Sequence, residues 1–112
     1  MDITEEDRDG ICILHIKELR LDAARAPALR EELTQRINAG QHRLILDLSA
    51  ATFMDSSGLG ALVSAMKLLG PRGNLALIGV QGAVERLLRL TRMEQVFIVE
   101  PNADAAITRM LR

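Results

Sequence analysis

Short apolar runs alternate with stretches whose apolar residues fall three and four apart, and this alternation leaves few folds open to the chain. Ile11-Cys12-Ile13-Leu14-His15-Ile16 is a continuous β-prone run directly after Asp9-Gly10, a dipeptide suited to a tight hairpin turn. The residues before that turn are acidic and poorly β-prone, yet the turn offers them a place as an edge strand. A helix is expected to begin between Asp22 and Ala26, because Pro27 is tolerated only in a first turn. Leu29, Leu33 and Ile37 form its inner face, and Asn38-Ala39-Gly40 supplies the stop.

The pattern continues to the end of the chain. Arg43 to Leu48 reads as a strand, and Ser57 to Leu69 as a second helix with Leu59, Leu62, Val63, Met66 and Leu69 on one stripe. Gly70-Pro71-Arg72-Gly73 breaks that helix. Asn74 to Val80 reads as a strand, Gly82 to Leu90 as a helix with Val84, Leu87 and Leu88 inward, and Val96 to Val99 as a short strand. Asn102 is expected to cap a last helix whose Ile107, Met110 and Leu111 fold back on the core. The order is therefore β-β-α-β-α-β-α-β-α. Strands separated by helices form right-handed crossover units. The expected fold is α/β: one domain over residues 1–112, with a mainly parallel sheet of four or five strands and about four helices.

Composition narrows the function classes. The only aromatic residues are two Phe, so the core must be aliphatic and there is no platform on which single-stranded bases could stack. A net charge of −1 provides no basic field for a polyanion, which argues against direct nucleic-acid binding. Cys12 is the single cysteine, which rules out an internal disulfide and suits a reducing compartment. The first residues are acidic, unlike a signal peptide, and no apolar run approaches membrane-spanning length. The expectation is a cytoplasmic domain without membrane insertion.

The segment from Leu44 to Gly60 holds the chemistry. A buried-type strand runs into a turn that delivers Asp55-Ser56-Ser57-Gly58 to the start of a helix. Helix N-termini carry unpaired N–H groups and the positive end of the dipole, so a serine there can be a cap or a place for a phosphate. Residue type and position alone leave open which serine takes which role; a phosphate on either would stand where helix N–H groups could accept the added charge. A hydrolase nucleophile elbow needs glycine two residues before the serine, but Met54 precedes Ser56 and Asp55 precedes Ser57 at that spacing. His15 and His42 read as packed or surface residues rather than as a catalytic base, and no grouping has metal-ligand spacing. Gly58-Leu59-Gly60 resembles the start of a dinucleotide fingerprint, but Val63 stands at the third glycine position. Arg86, Arg89 and Arg92 read as a solvated face. No cofactor or metal is expected.

Phe53-Met54-Asp55-Ser56-Ser57-Gly58-Leu59-Gly60 closely resembles the signature of STAS domains of the bacterial anti-anti-sigma factor type. The resemblance extends to Leu21-Asp22, to Ile45-Leu46-Asp47-Leu48, to Gly73, and to Val84 through Leu90. It implies a regulator of transcription, not an enzyme. Ser56 would be phosphorylated by a partner that is both a serine kinase of the histidine-kinase-like ATPase fold and an anti-sigma factor, which leaves Ser57 as the better candidate for the helix cap. The unphosphorylated form would bind that partner, and a PP2C-type phosphatase would restore the hydroxyl. Asp22, Asp55, Ser56, Ser57, Gly58, Leu59 and Gly60 would form the partner-binding region. Two positions depart from the family's pattern: Leu19 stands where glycine is usual, and Arg25 where threonine or serine is frequent. Two other readings stay open at this point. One is a non-switching STAS subunit of a transporter-associated or sensory complex. The other is a module binding a small ligand or nucleotide.

Overall fold

In the computed structural model, which describes residues Met1–Arg112, Asp9 and Gly10 both take the left-handed conformation, with φ of 57° and 79°. A two-residue hairpin loop of type I′ needs that conformation at both positions. It folds β1 (Ile3–Arg8) antiparallel onto β2 (Ile11–Ile16). The acidic residues of this edge strand are placed in ion pairs: Glu5 meets Arg36, and Glu6 meets both Arg8 and His15. Then follow β3 (Arg20–Leu21), α1 (Ala26–Asn38), β4 (Arg43–Asp47), β5 (Phe53–Met54), α2 (Ser56–Leu69), β6 (Asn74–Ile78), α3 (Gly82–Leu90), β7 (Ile98–Glu100) and α4 (Ala103–Met110).

The main sheet has the order β1-β2-β4-β6-β7, and every pair after the first is parallel. Ile11 to Leu14, Leu44 to Leu46 and Leu75 to Ile78 are buried, as central parallel strands covered on both faces require. On one face, Leu29, Leu33 and Ile37 of α1, Leu59 and Leu62 of α2, and Val84 and Leu88 of α3 pack against Cys12, Leu14, Leu46 and Leu77. On the other face, Ala106, Ile107 and Met110 of α4 pack on Ile11, Ile13, Ile45, Ala76 and Ile78. Burial pushes the Cys12 thiol up to about 11, which leaves it protonated and inert.

Five details differ from the sequence reading. A second, two-stranded parallel sheet pairs β3 with β5, in segments too short to show periodicity. The buried stripe of α2 is Gly58, Leu59, Ala61, Leu62, Ala65 and Leu69, with Val63 and Met66 only half-buried. The small residues Gly58, Ala61 and Ala65 share the inner face, and Val63 and Met66 pack against the core at its margin. Gly79, left-handed at φ 71°, ends β6 at Ile78 rather than Val80. A 3-10 turn over Met93–Gln95 leaves Val96 helical, so β7 begins at Ile98 rather than Val96. Leu111 lies past the end of α4 and is exposed, and Ala106 takes its expected place in the core.

Candidate functional site

Backbone bonding carries the chain from the main sheet to the serine turn. Leu48 N–H donates to Ile78 C=O, and Ala51 N–H donates to Leu48 C=O, folding the chain after β4. Thr52 and Phe53 N–H groups then donate to Leu19 C=O at 2.8 and 3.3 Å, joined by the Thr52 hydroxyl at 3.1 Å. β5 thus lies along β3, and Asp55 N–H donates to Leu21 C=O at 3.4 Å.

The cap of α2 is Asp55, not Ser57. Asp55 has extended backbone (φ −110°, ψ −173°), and its Oδ1 accepts from Ser57 N–H at 2.9 Å and Gly58 N–H at 3.1 Å. Its carbonyl accepts from Leu59 N–H at 3.0 Å. A carboxylate at this position satisfies two otherwise unpaired donors and complements the helix dipole. Ser57, at the second helical position, is half-buried. Ser56 is the first helical residue; it is exposed, and neither its hydroxyl nor its N–H has a hydrogen-bond partner in the chain.

This changes how the turn would treat a phosphate. The expectation that several helix N–H groups stand ready for it fails, because the Asp55 carboxylate already holds two of them. Only the Ser56 N–H remains unpaired in the first turn. A phosphate on Ser56 would therefore stand at the surface beside a carboxylate, not be absorbed by the helix end.

Continuing the pairing of Arg20 with Phe53 and Leu21 with Met54 by one residue sets Asp22 beside Asp55. Asp22 is half-buried and is not the N-cap of α1; that position belongs to Arg25, which makes no side-chain cap. Instead the Asp22 carbonyl accepts from Arg25 and Ala26 N–H, and Oδ2 accepts from Arg20 Nε at 3.3 Å. Its Oδ1 is buried without a partner. Burial acts to raise the Asp22 carboxyl, but the Arg20 bond and nearby backbone N–H groups outweigh it and hold it below the usual range. The Arg20 guanidinium also lies 4.2 Å from the centroid of the Phe53 ring.

The two glycines of the turn have different roles. A Cβ on Gly58 would fall 2.2 Å from Leu21 C=O, so Gly58 permits the contact between α2 and β3. Gly58 and Leu59 are both buried in the chain's own interior, so they shape the surface from beneath rather than form it. Above Gly60, by contrast, a Cβ would meet nothing within 4 Å. Nothing inside the chain accounts for a glycine in the interior of this helix.

His15 lies on the α4 face of the sheet, in line with Ile11 and Ile13, and is not brought to the serine turn. Both of its ring nitrogens sit 2.7 Å from carboxylates, Nδ1 from Asp47 and Nε2 from Glu6. No sequence spacing announces this cluster, since it depends on the register of three strands. His42 is exposed at the start of β4, and its carbonyl accepts from Asn74 N–H. Arg86, Arg89 and Arg92 are exposed, and Arg89 pairs with Glu85, as a solvated face would. No helix is long and apolar enough to cross a membrane.

Comparison with known proteins places this geometry among relatives. Residues 2–106 match the family described as the STAS domain. The chain is 33% identical over 102 residues to the anti-sigma-B factor antagonist of Listeria monocytogenes, covering 89% of this chain and 87% of that one. It is 28% identical over 112 residues to the anti-sigma F factor antagonist of Paenibacillus polymyxa, covering 98% and 95% of the two chains. Among solved structures, an anti-sigma factor antagonist from Mycobacterium paratuberculosis superimposes with a TM-score of 0.90 at 27% identity, covering 99% of this chain and 94% of that one.

Proposed function

This chain belongs to the STAS domain family, and from that premise we propose that it is an anti-sigma factor antagonist working by partner switching, with Ser56 as its phosphate-accepting residue. In its unphosphorylated form it binds a serine kinase of the histidine-kinase-like ATPase fold that also acts as the anti-sigma factor. Phosphorylation of Ser56 releases it, and a PP2C-type phosphatase resets it. The domain is acted upon; it catalyses nothing. It works in the cytoplasm, touching neither nucleic acid nor membrane.

The observation that carries this reading is the division of labour at the start of α2. Asp55 caps the helix, so the fold makes no use of the Ser56 hydroxyl, which is exposed and free of intramolecular bonds. A group with no structural duty can be esterified without disturbing the chain. The consequence for a partner is large. Phosphorylation adds roughly −1.5 to −2 charges at the surface. If that charge lies about 6 Å from the Asp55 carboxylate, the repulsion is only about 1.4 kcal/mol in water, and the helix dipole offsets part of it. The same charge buried under a partner packed against the bare hydroxyl is far more costly to desolvate. A loss of about 3–4 kcal/mol on binding corresponds to several-hundred-fold weaker affinity, enough to reverse a competition between partners. The switch acts at the interface and leaves the fold alone.

Gly60 supports the same surface. Glycine in a helix interior costs about 1 kcal/mol relative to alanine, and no contact within the chain requires it. What benefits from its missing Cβ is a partner lying close on that face of α2. Asp55, with Asp22 next to it in the β3–β5 register, and Ser57 complete the contact region around Ser56.

The test is incubation with ATP and the serine kinase encoded in the same genome neighbourhood, followed by mass spectrometry. One phosphate is expected, on Ser56, and none on Ser56→Ala. Phosphate on another residue of the wild-type chain, or none at all, overturns the proposal.

A further inference from the structure

Next to the Ser56 turn, a leucine is held out into solvent. Leu19 has 65% of its surface exposed. Its backbone is nevertheless fixed, because its carbonyl accepts from Thr52 N–H, Phe53 N–H and the Thr52 hydroxyl, at 2.8, 3.3 and 3.1 Å. An exposed apolar side chain on a mobile loop would mean little. One on a backbone tied down by three hydrogen bonds loses little freedom when something covers it.

Along the segment from Lys17 to Arg25 the charges are arranged by sign, with exposed Asp2 at its margin. The carboxylates are drawn in: Glu18 is 15% exposed and accepts from Arg25 Nε at 3.0 Å and Asp2 N–H at 2.7 Å, and Asp22 is 26% exposed. The cations point out, with the Arg20 side chain 60% exposed, that of Arg25 52% exposed, and Lys17 exposed as well. The outward character is an apolar knob in a cationic ring.

Its position decides what would cover it. A standard interface buries about 800 Å² per partner, a disc of roughly 16 Å radius. The three residues from Phe53 to Ser56 span at most about 11 Å of extended chain. Leu19 is bonded directly to Phe53. A partner centred on Ser56 therefore lies over Leu19 as well.

We propose that Leu19 is a specificity-determining docking residue, and that the partner reaching Ser56 carries an apolar socket for it, rimmed by carboxylates that meet Lys17, Arg20 and Arg25. The inference rests on the partner-switching reading of Ser56. Leu19 selects which kinase can engage the turn, while Ser56 sets whether it stays bound.

Calorimetry with the purified serine kinase encoded in the same genome neighbourhood, together with mass spectrometry of the phosphorylated product, tests it, using the full chain. Leu19→Gly is expected to weaken binding at least tenfold. Leu19→Asp is expected to weaken it more than Leu19→Lys, because only the acid is repelled by a carboxylate rim. Leu68→Asp is the control: Leu68 is also exposed but lies twelve residues along α2, about 18 Å from Ser56 and beyond the footprint. It is expected to leave affinity unchanged. Circular dichroism on each variant shows that the fold is kept. If wild type binds and is phosphorylated on Ser56 while Leu19→Gly binds equally well, the docking role is wrong and the switch stands. Asp and Lys at position 19 behaving alike would remove the carboxylate rim. A kinase that neither binds nor modifies wild type would overturn both readings.

Discussion

Two adjacent residues, Asp55 and Ser56, share the helix start without sharing a task. Asp55 bonds two first-turn N–H groups, and replacing a capping carboxylate by alanine costs about 1 kcal/mol. Asp55→Ala is accordingly expected to lower the melting temperature by about 4 °C, as a domain of this size responds to such a loss. Ser56→Ala is expected to shift it by less than about 2 °C, since the removed hydroxyl has no partner. Scanning calorimetry on the two variants reads the difference directly, and equal shifts would mean that Ser56 has a structural role. His15 carries a separate expectation. Its bonds to Glu6 and then to Asp47 hold it above the ordinary histidine value, against the effect of burial. The His15 bond likewise holds Glu6 below its usual value. At Asp47 burial acts to raise the carboxyl, but bonds from His15 and Ser49 outweigh it and lower it. The histidine's contribution is full below about pH 6.5 and fades as pH rises through its raised folded value. The carboxylates' contribution is present above about pH 4 and fades as pH falls below it. The stability difference between wild type and His15→Gln is therefore expected to be greatest near pH 5 to 6 and to shrink in alkali. A difference that is flat or grows with pH would contradict the cluster.

At the scale of elements, α2 is placed by what it lacks. Gly58→Ala would drive a Cβ to 2.2 Å from Leu21 C=O, and backbone on both sides leaves no easy relief. A loss of more than about 2 kcal/mol is expected, as for overpacking within a fitted interior. Gly60→Ala is expected to do the reverse, gaining about 1 kcal/mol of helix propensity while weakening partner binding. Denaturant titration of both variants, with binding measured on the second, separates an internal requirement from an external one. Sequence reasoning could not divide these two glycines, because both stand in the same short motif and only the β3 contact tells them apart. The long elements were legible: β2, α1, β4, α2, β6 and α3 each carry a clear period or an unbroken apolar run, and Pro27 marks the first turn of α1. The β3–β5 pair was not, since two residues per strand hold no period. The start of β7 is not legible either, because Val96-Phe97-Ile98-Val99 is β-prone throughout, whereas the preceding 3-10 turn keeps Val96 helical. Side-chain type alone does not reveal which residue holds the extended backbone that a cap needs, so Ser57 looks as suitable in sequence as the Asp55 that the fold uses.

Taken as a whole, the molecule offers a fixed base for the proposed switch. The mainly parallel sheet, with aliphatic cores on both faces, gives a rigid base. β3 and β5 form a small separate platform that carries Arg20, Asp22, Phe53 and Asp55 to the edge of α2. Nothing in that arrangement would need to move if Ser56 gained a phosphate, so the change expected from the proposed modification is in affinity and not in fold. Ser56→Asp should keep the wild-type circular dichroism spectrum and bind the kinase much more weakly. The most direct measurement compares the kinase affinity of the chain carrying phosphoserine at position 56 with that of the unmodified chain, under the same conditions. A loss of several hundred-fold with an unchanged spectrum is the expected result. Equal affinity of the two forms would contradict the switch.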